Sequence, residues 1–228
     1  MTQVLEPGLV VSCQARPPSP MGGADSMARF ARAAVLGGAR GIRAEGVADI
    51  AAVKEAVAVP VVGLIKTTDT PVYITPTIAA AVAVASAGAD VVAVDATLRP
   101  RPDGTSTADF LARLRDAVDI PVIADVDSLE AALAAERAGV DYVATTLAGY
   151  TDPTTAPPRT PDLALLEAVV AEVSIPTIAE GRFQTAEQVR RAFDLGAFAV
   201  VVGGAITDPV AITRRFAAAV PERRTHDA

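Results

Sequence analysis

Two residues of this 228-residue chain have the type and the setting needed to move protons. Lys66 ends the apolar segment GLIK, and Glu180 follows the apolar segment TIA. An amine that is desolvated, or that lies near another cation such as Arg43, holds its proton less tightly and can act as a base near neutral pH. Burial would raise the pKa of the Glu180 carboxyl and a nearby cation would lower it, so the sequence leaves that direction open. We predict that Lys66 and Glu180 are the acid and base of an enzyme.

Histidine and cysteine, which often carry protons or bind metals, are nearly absent. The only histidine is His226, in the polar segment ERRTHDA, and the only cysteine is Cys13. A single cysteine cannot form an intramolecular disulfide, and no Cys/His pair has the spacing of a zinc site. Acid and base chemistry therefore falls to Lys, Asp, Glu, Tyr or Cys. We expect Cys13 itself to be a small buried side chain.

Two glycine-containing segments are candidates for binding an anion. Gly203 and Gly204 follow an apolar run in VVVGGAIT, and Gly181 and Arg182 follow Glu180. Glycines at a strand-to-helix turn let backbone N–H groups approach a phosphate closely. A tight turn that binds no ligand is the alternative interpretation of the glycine pair. We predict that the two segments together form a phosphate site.

The overall charge argues against some partners. The formal net charge is −7, and the chain has no stripe of basic residues of the kind that nucleic acids require. No uninterrupted apolar stretch reaches the roughly 18 residues of a membrane-spanning helix, and the segment MTQVLEPG lacks the pattern of a signal peptide. We expect a cytoplasmic protein that binds neither nucleic acid nor membrane.

Alternating strand and helix patterns must position these residues. A proline followed by an apolar strand recurs at Pro60, Pro121 and Pro176, and small-residue segments followed by strands lie between these repeats. Stretches rich in Ala, Leu, Glu and Arg, with helical period, separate the strands. Near-continuous apolar strands that alternate with helices are typical of a parallel sheet covered by helices. The predicted strands are 9–13, 41–43, 61–66, 91–95, 122–125, 142–145, 177–180 and 199–203.

Eight such strands favour the α/β class and a closed (β/α)8 TIM barrel, with residues 1–228 as a single domain. An open, doubly wound sheet is the alternative. The final helix is predicted over 209–219, and the segment TDPTTAPPRTP over 151–161 is predicted to be a long loop after the sixth strand.

Polar residues stand at the predicted carboxyl ends of the strands, where a parallel barrel has its active site. A ring of structural ion pairs is the alternative interpretation, because such a ring and an active site look alike in sequence. Asp95 and Asp125 are weaker candidates, of which one would orient Lys66 and the other would cap a helix. The strand-end residues are Gln14, Arg43, Lys66, Asp95, Asp125, Thr145, Glu180, Gly203 and Gly204.

Nearly the whole chain resembles the N-acetylmannosamine-6-phosphate 2-epimerases, with the matching segments in order. These segments are VSCQA (11–15), GIRAEG (41–46), GLIK (63–66), VYITPT (72–77), VDATLRPRPDG (94–104), ADVDS (124–128), TTLAGYT (145–151), AEGR (179–182) and VVVGGAITDP (200–209).

The resemblance implies that the enzyme interconverts N-acetylmannosamine 6-phosphate and N-acetylglucosamine 6-phosphate in the catabolism of sialic acid, with no cofactor or metal. It implies a homodimer as well. Asp208 departs from the family pattern, in which many members have a basic residue at this position. By motif, the resemblance assigns catalysis to Lys66 and Glu180, sugar binding to Gln14, Arg43 and Asp125, and phosphate binding to Gly181, Arg182, Gly203 and Gly204.

Two other functions fit the same residues. A Schiff-base aldolase would use Lys66 as a nucleophile towards a ketone. A non-catalytic sugar-phosphate sensor would bind the same ligands without turnover, although it would not need both Lys66 and Glu180.

Overall fold

Eight parallel strands alternate with helices along the chain and close into a barrel. The structure is a computed structural model that describes residues 4–15, 18–68, 70–101, 103–151 and 160–221. Each strand pairs with the next one, and β1 (Gly8–Cys13) also pairs in parallel with β8 (Ala199–Val202). This last pairing confirms the predicted TIM barrel and excludes the open sheet.

The strand boundaries agree closely with the prediction, except at β2 and β3. Residue Lys66 lies beyond the end of β3 and instead forms an isolated antiparallel bridge with Ile74. Residue Glu45 extends β2 because it pairs with Leu64. The remaining strands are β2 (Gly41–Glu45), β3 (Val61–Leu64), β4 (Val91–Asp95), β5 (Val122–Asp125), β6 (Tyr142–Ala144) and β7 (Thr177–Glu180).

The helices form the outer layer, and several begin at a residue whose side chain caps the helix. The hydroxyl of Ser128 accepts a hydrogen bond from Ala131 N, and Thr185 and Gln188 form a reciprocal capping box. The helices are α1 (Ala24–Leu36), α2 (Val47–Ala56), α3 (Ile78–Ser86), α4 (Thr107–Ala117), α5 (Leu129–Arg137), α6 (Leu163–Glu172), α7 (Ala186–Asp194), α8 (Gly204–Thr207) and α9 (Pro209–Ala217).

Alternation along each strand decides which side chains face the barrel axis. In β2, Ile42 and Ala44 pack in the apolar layer beneath the helices, so Arg43 between them points inward. The same alternation turns Asp125 of β5 and Glu180 of β7 inward, one at the end of each strand. Three charged side chains therefore converge above the apolar filling of the barrel.

Glycine at position 63 allows α3 to lie close against β3. A Cβ atom at Gly63 would lie 2.6 Å from Val84 Cγ1 and 2.7 Å from the Cβ of Ala89. Neither neighbour can move freely, because both are buried. Only glycine at position 63 therefore allows β3 and α3 to pack at this short distance.

Several predictions concern other parts of the chain. Cys13 is buried, as predicted, and burial raises the pKa of its thiol to about 12. None of the helices in the described ranges combines the length and the apolar character that crossing a membrane requires. Most of the predicted loop 151–161 and all of the segment around His226 lie outside the described residues, so those predictions, and the single domain 1–228, stay predictions.

Candidate functional site

A cavity of about 650 Å³ opens at the carboxyl ends of the strands. It is lined by eight of the nine residues to which the resemblance assigns catalysis or binding, and the exception is Asp125; the other predicted strand-end residues, Asp95 and Thr145, do not line it. The lining residues from the predicted set are Gln14, Arg43, Lys66, Glu180, Gly181, Arg182, Gly203 and Gly204.

A buried guanidinium lies at the centre of the site and is held by two carboxylates. Arg43 is 1% exposed. Its two terminal nitrogens donate to Asp125 at 3.2 and 2.6 Å, and Nη1 also lies 3.1 Å from Glu180 Oε2. Burial alone would lower the pKa of Arg43, but the two carboxylates outweigh burial and raise it. Arg43 is therefore a fixed positive charge.

Asp125 lies behind Arg43 rather than in the cavity wall. Its carboxylate is fully buried. In addition to its bonds from Arg43, the Asp125 carboxylate accepts a hydrogen bond from the Thr146 hydroxyl at 2.5 Å. The same hydroxyl lies 3.1 Å from Glu180 Oε2. Asp125 can therefore reach a ligand only through Arg43 or Thr146.

Lys66 enters the cavity from the β3 side and is held by residues of the two preceding strands. Its Nζ donates to Gln14 Oε1 and lies 3.5 Å from Glu45 Oε2. Gln14 is itself held by a 2.8 Å hydrogen bond from its side-chain nitrogen to the Ser12 hydroxyl. A polar chain thus positions the amine, and neither Asp95 nor Asp125 contacts it among the ion pairs found in the described residues.

Glu180 enters from the opposite side. Strands β3 and β7 lie four positions apart in the closed eight-strand order, so Lys66 and Glu180 face each other across the barrel mouth. The Thr145 hydroxyl bonds both the backbone N–H and the backbone carbonyl of Glu180, each at 3.1 Å. Burial raises the pKa of the Glu180 carboxyl, and the lowering effects of Arg43 and Lys66 do not cancel it. The sequence left open whether the pKa of Glu180 is raised or lowered, and in the structure it is raised.

The segment after Glu180 has an unusual backbone. Gly181 has φ +115° and Arg182 has φ +59°, a region that non-glycine residues rarely adopt. The Arg182 side chain donates to the carbonyls of Thr160 at 2.8 Å and Ala148 at 2.5 Å, and it stacks 4.9 Å from the Tyr150 ring. One terminal nitrogen, Nη2, is buried without a hydrogen-bond partner in the described part of the chain.

Next to this segment, β8 gives way to the short helix α8 at the glycine pair. A Cβ atom at Gly203 would lie 3.4 Å from the Ser12 side chain, so the backbone of the glycine pair runs directly alongside β1 at the cavity wall. The first N–H groups of a helix have no partner inside it. The Thr207 hydroxyl bonds the Ser12 carbonyl at 2.8 Å and ties α8 to β1. Asp208 lines the cavity and caps α9 through a 2.9 Å bond from Ala211 N.

Asp95 has a different role from the one expected of it. Its buried carboxylate accepts hydrogen bonds from the Thr97 hydroxyl and from Arg99, both at 2.7 Å, and from the Tyr73 backbone N–H at 3.3 Å. It therefore orients Tyr73, not Lys66.

Three polar residues that belong to the site, Glu45, Thr146 and Tyr73, were not predicted from the sequence. Glu45 would have been found if β2 had been extended by two residues, and Thr146 directly follows the predicted strand-end residue Thr145. Tyr73 lies seven residues beyond Lys66, and only the pairing of Lys66 with Ile74 brings it to the cavity, so no local signal marks it.

No group of three or more His, Cys, Asp or Glu side chains that could hold a metal ion occurs in the described residues. The predicted absence of a metal or cofactor stays a prediction.

Sequence comparison finds relatives along nearly the whole chain. A family profile described as "Putative N-acetylmannosamine-6-phosphate epimerase" matches residues 27–222. Two curated proteins are both named "Putative N-acetylmannosamine-6-phosphate 2-epimerase". The one from Cutibacterium acnes is 50% identical over 213 residues, covering 92% of each chain. The one from Caldanaerobacter subterraneus is 46% identical over 225 residues, covering 97% of this chain and 94% of the relative.

Structure comparison agrees. The N-acetylmannosamine-6-phosphate 2-epimerase of Clostridium perfringens superposes with a TM-score of 0.89 and 41% identity, covering 95% of each chain. A thiamine phosphate pyrophosphorylase from Pyrococcus furiosus has a TM-score of 0.59 and 21% identity, covering 89% of this chain and 87% of its own, and shares the fold only.

Proposed function

Because the chain belongs to the N-acetylmannosamine-6-phosphate epimerase family, we propose that it interconverts N-acetylmannosamine 6-phosphate and N-acetylglucosamine 6-phosphate in sialic acid catabolism. These sugars differ in configuration at C2, which bears the acetamido group. Inversion requires the C2 proton to leave one face and a proton to return to the other. The observation that carries the proposal is that Lys66 and Glu180 enter one cavity from opposite sides of the barrel.

The proton transfer is assigned to Lys66 and Glu180. Once the sugar ring opens, C2 lies next to the C1 aldehyde, and removal of its proton gives an enolate with its negative charge on the C1 oxygen. A sugar held on the barrel axis would present one face to Lys66 and the other to Glu180. The raised pKa of Glu180 suits a carboxyl that must hold a proton for part of the reaction.

Arg43, Asp125 and Gln14 prepare the site for the sugar. Arg43 lines the cavity as a positive charge that favours negative charge on the enolate oxygen. Asp125 fixes the plane of its guanidinium through two hydrogen bonds, so we assign Asp125 to positioning rather than to direct sugar binding. Gln14 lines the cavity and holds the Lys66 amine through its side-chain oxygen, while its side-chain nitrogen donates to Ser12, which lines the cavity as well.

The phosphate is assigned to Gly181, Arg182, Gly203 and Gly204. The two segments lie side by side at the ends of β7 and β8 and line the same cavity. Free N–H groups at the start of α8 and the unpartnered Nη2 of Arg182 are donors for phosphate oxygens. The phosphate would thus anchor one end of the substrate and leave C2 near the barrel axis.

The decisive experiment is proton NMR of N-acetylmannosamine 6-phosphate in D₂O with the purified protein. We expect the C2 proton signal to disappear while the gluco epimer forms with deuterium at C2. Replacement Lys66→Ala should lower kcat by about 10²- to 10⁴-fold, because a positioned proton carrier contributes that much. Near-normal turnover by Lys66→Ala would refute the assigned base.

The same experiment with Glu180→Gln separates two versions of the mechanism. If Glu180 serves the second face, this variant loses epimer formation about as severely as Lys66→Ala does. Turnover close to that of the wild type would mean that Lys66 serves both faces alone. A folded wild-type protein that leaves the substrate unchanged would overturn the proposed function itself.

Two further proposals follow the family. A homodimer is supported by α9, which buries none of its side chains and leaves Phe216 75% exposed. Sedimentation equilibrium would measure the mass directly. A cytoplasmic location is supported by the proposed substrate, since sugar phosphates carry charge and do not diffuse across membranes.

A further inference from the structure

One cavity-lining side chain has no role in the mechanism above. The ring of Tyr73 lines the cavity together with Lys66 and Arg43. Its hydroxyl makes no hydrogen bond to any part of the protein that the structure describes, whereas its backbone is bonded on both sides. A phenol that is held in place and left without a partner at a ligand cavity is available to the ligand.

We infer that the Tyr73 hydroxyl donates a hydrogen bond to the sugar oxygen on C1, which becomes negatively charged when the C2 proton leaves. This inference rests on the proposed function. It makes Tyr73 a catalytic residue of the same site, with the open-chain aldehyde of the amino-sugar phosphate as its ligand.

The backbone around Tyr73 is anchored to the strands that form the site. The Tyr73 carbonyl accepts a 2.9 Å bond from Thr67 N, which is the residue after Lys66. The next residue, Ile74, pairs with Lys66 and accepts a 2.8 Å bond from Asp95 N. The amine of Lys66 and the phenol of Tyr73 therefore belong to one hairpin and cannot shift independently by much.

The buried carboxylate of Asp95 completes this anchor. Asp95 accepts the Tyr73 N–H and is itself held by Thr97 and Arg99, each at 2.7 Å. The Arg99 guanidinium also lies 5.8 Å from the centre of the Tyr73 ring. A buried carboxylate is costly unless it is fully bonded, and this network both satisfies Asp95 and fixes the backbone of Tyr73 beside the cavity.

The electrostatic surroundings keep the phenol protonated. Burial raises the pKa of Tyr73 to about 12, and the nearby carboxylates of Asp125 and Asp95 add to this increase. At neutral pH the hydroxyl is therefore a donor. Arg43, in contrast, shares its charge with Asp125 and Glu180, so a neutral donor with no competing acceptor complements it.

The chemistry balances without another reactant. The base takes the C2 proton, the C2–H electron pair forms the C1=C2 bond, and the carbonyl pair moves onto the C1 oxygen. Tyr73 keeps its proton and only shares it with that oxygen. When a proton returns to the other face of C2, the carbonyl re-forms and the hydrogen bond weakens. A donor that binds the enolate more tightly than the aldehyde lowers the activation barrier of the reaction in both directions.

Tyr73→Phe tests the inference, because it removes the hydroxyl and keeps the ring. We expect kcat to fall by about 100-fold, as for the loss of one donor to a developing oxyanion, with KM changed by less than about threefold. Exchange of the C2 proton for solvent deuterium should fall in parallel, since it passes through the same enolate. Thermal unfolding of the variant checks that the fold is intact.

Tyr142→Phe is the matched control. The Tyr142 hydroxyl accepts a 3.2 Å bond from Leu5 N inside the barrel, away from the residues that line the cavity. Its loss should lower stability and leave kcat unchanged. If Tyr73→Phe unfolds, 3-fluorotyrosine introduced at position 73 keeps the shape and alters only the acidity of the donor, so kcat should still change.

The outcomes are distinguishable. A folded Tyr73→Phe enzyme with the wild-type kcat, or one that exchanges deuterium at the wild-type rate, overturns the inference while the epimerase activity stands. Absence of epimerisation by the wild type overturns the proposed function and the inference with it. A change in KM alone would assign Tyr73 to ground-state binding and would also refute its role at the enolate.

Discussion

Glu180 shows how a single carboxyl can be placed between two opposing influences. Burial disfavours its charged form, and Arg43 at 3.1 Å favours it. Burial prevails, so the pKa is raised in the folded protein. Protons therefore bind this carboxyl more tightly in the folded state than in the unfolded chain. The stability that Glu180 contributes is complete below the ordinary pKa of a glutamate and is lost as pH rises to the raised value.

Glu180→Gln should reveal this loss, because glutamine resembles the protonated acid. Relative to the wild type, the variant should gain thermal stability as pH rises from the ordinary glutamate pKa of about 4 towards the raised value, and then keep a constant difference. Thermal unfolding between about pH 4 and about pH 8 measures it. Glu167→Gln, at an exposed position in α6, is the control and should show no such trend. A difference that shrinks with rising pH would contradict the assigned direction.

At the scale of elements, the sequence predicts the strands well where apolar runs end at a polar residue. The ends of β4, β5 and β7 are of this kind. The end of β3 was misplaced because Lys66 pairs with Ile74 across a turn, and a contact between separate segments leaves no local pattern. Glu45 was missed for a similar reason, since β2 continues only by pairing with Leu64.

Gly63 shows that the packing of one helix depends on one missing methyl group. In Gly63→Ala the new Cβ would lie 2.6 Å from Val84, so α3 must move away from β3. We expect a loss of about 1 to 3 kcal/mol of stability, which corresponds to about 2 to 4 °C in Tm for each kcal/mol. Urea unfolding measures the loss.

Gly22→Ala is the comparison for Gly63→Ala, because its Cβ would meet only the Ser19 carbonyl at an ordinary 3.6 Å. Equal stability of Gly63→Ala and the wild type would mean that α3 shifts freely over the strand.

At the scale of the whole molecule, closure of the barrel brings together charges that are far apart in sequence. Arg43, Asp125 and Glu180 come from β2, β5 and β7 and meet only because β1 pairs with β8. The sequence predicts that each of these three residues stands at or near the carboxyl end of its strand. It cannot predict that Asp125 stays behind Arg43, out of the cavity, because this depends on the lengths and orientations of three side chains.

Arg43 and Asp125 should therefore behave as one unit in unfolding experiments. Arg43→Met alone leaves two buried carboxylates close together, and Asp125→Leu alone leaves the guanidinium with Glu180 only. Breaking a buried ion pair on one side costs about 3 to 5 kcal/mol, and removing both partners costs less than the sum. A double-mutant cycle by urea unfolding measures the coupling. If the losses of stability in the two single variants add up to the loss in the double variant, Arg43 and Asp125 have no coupling free energy.

The triad of Arg43, Asp125 and Glu180 also restricts how this barrel can change over generations. A lineage that replaces Arg43 or Asp125 first passes through a form in which a buried charge has lost its main partner, and such a form is less stable. Its descendants reach a new arrangement only through compensating substitutions in distant parts of the gene. The order in which these substitutions arise then decides which paths are open, so Arg43 and Asp125 are expected to be inherited or lost together.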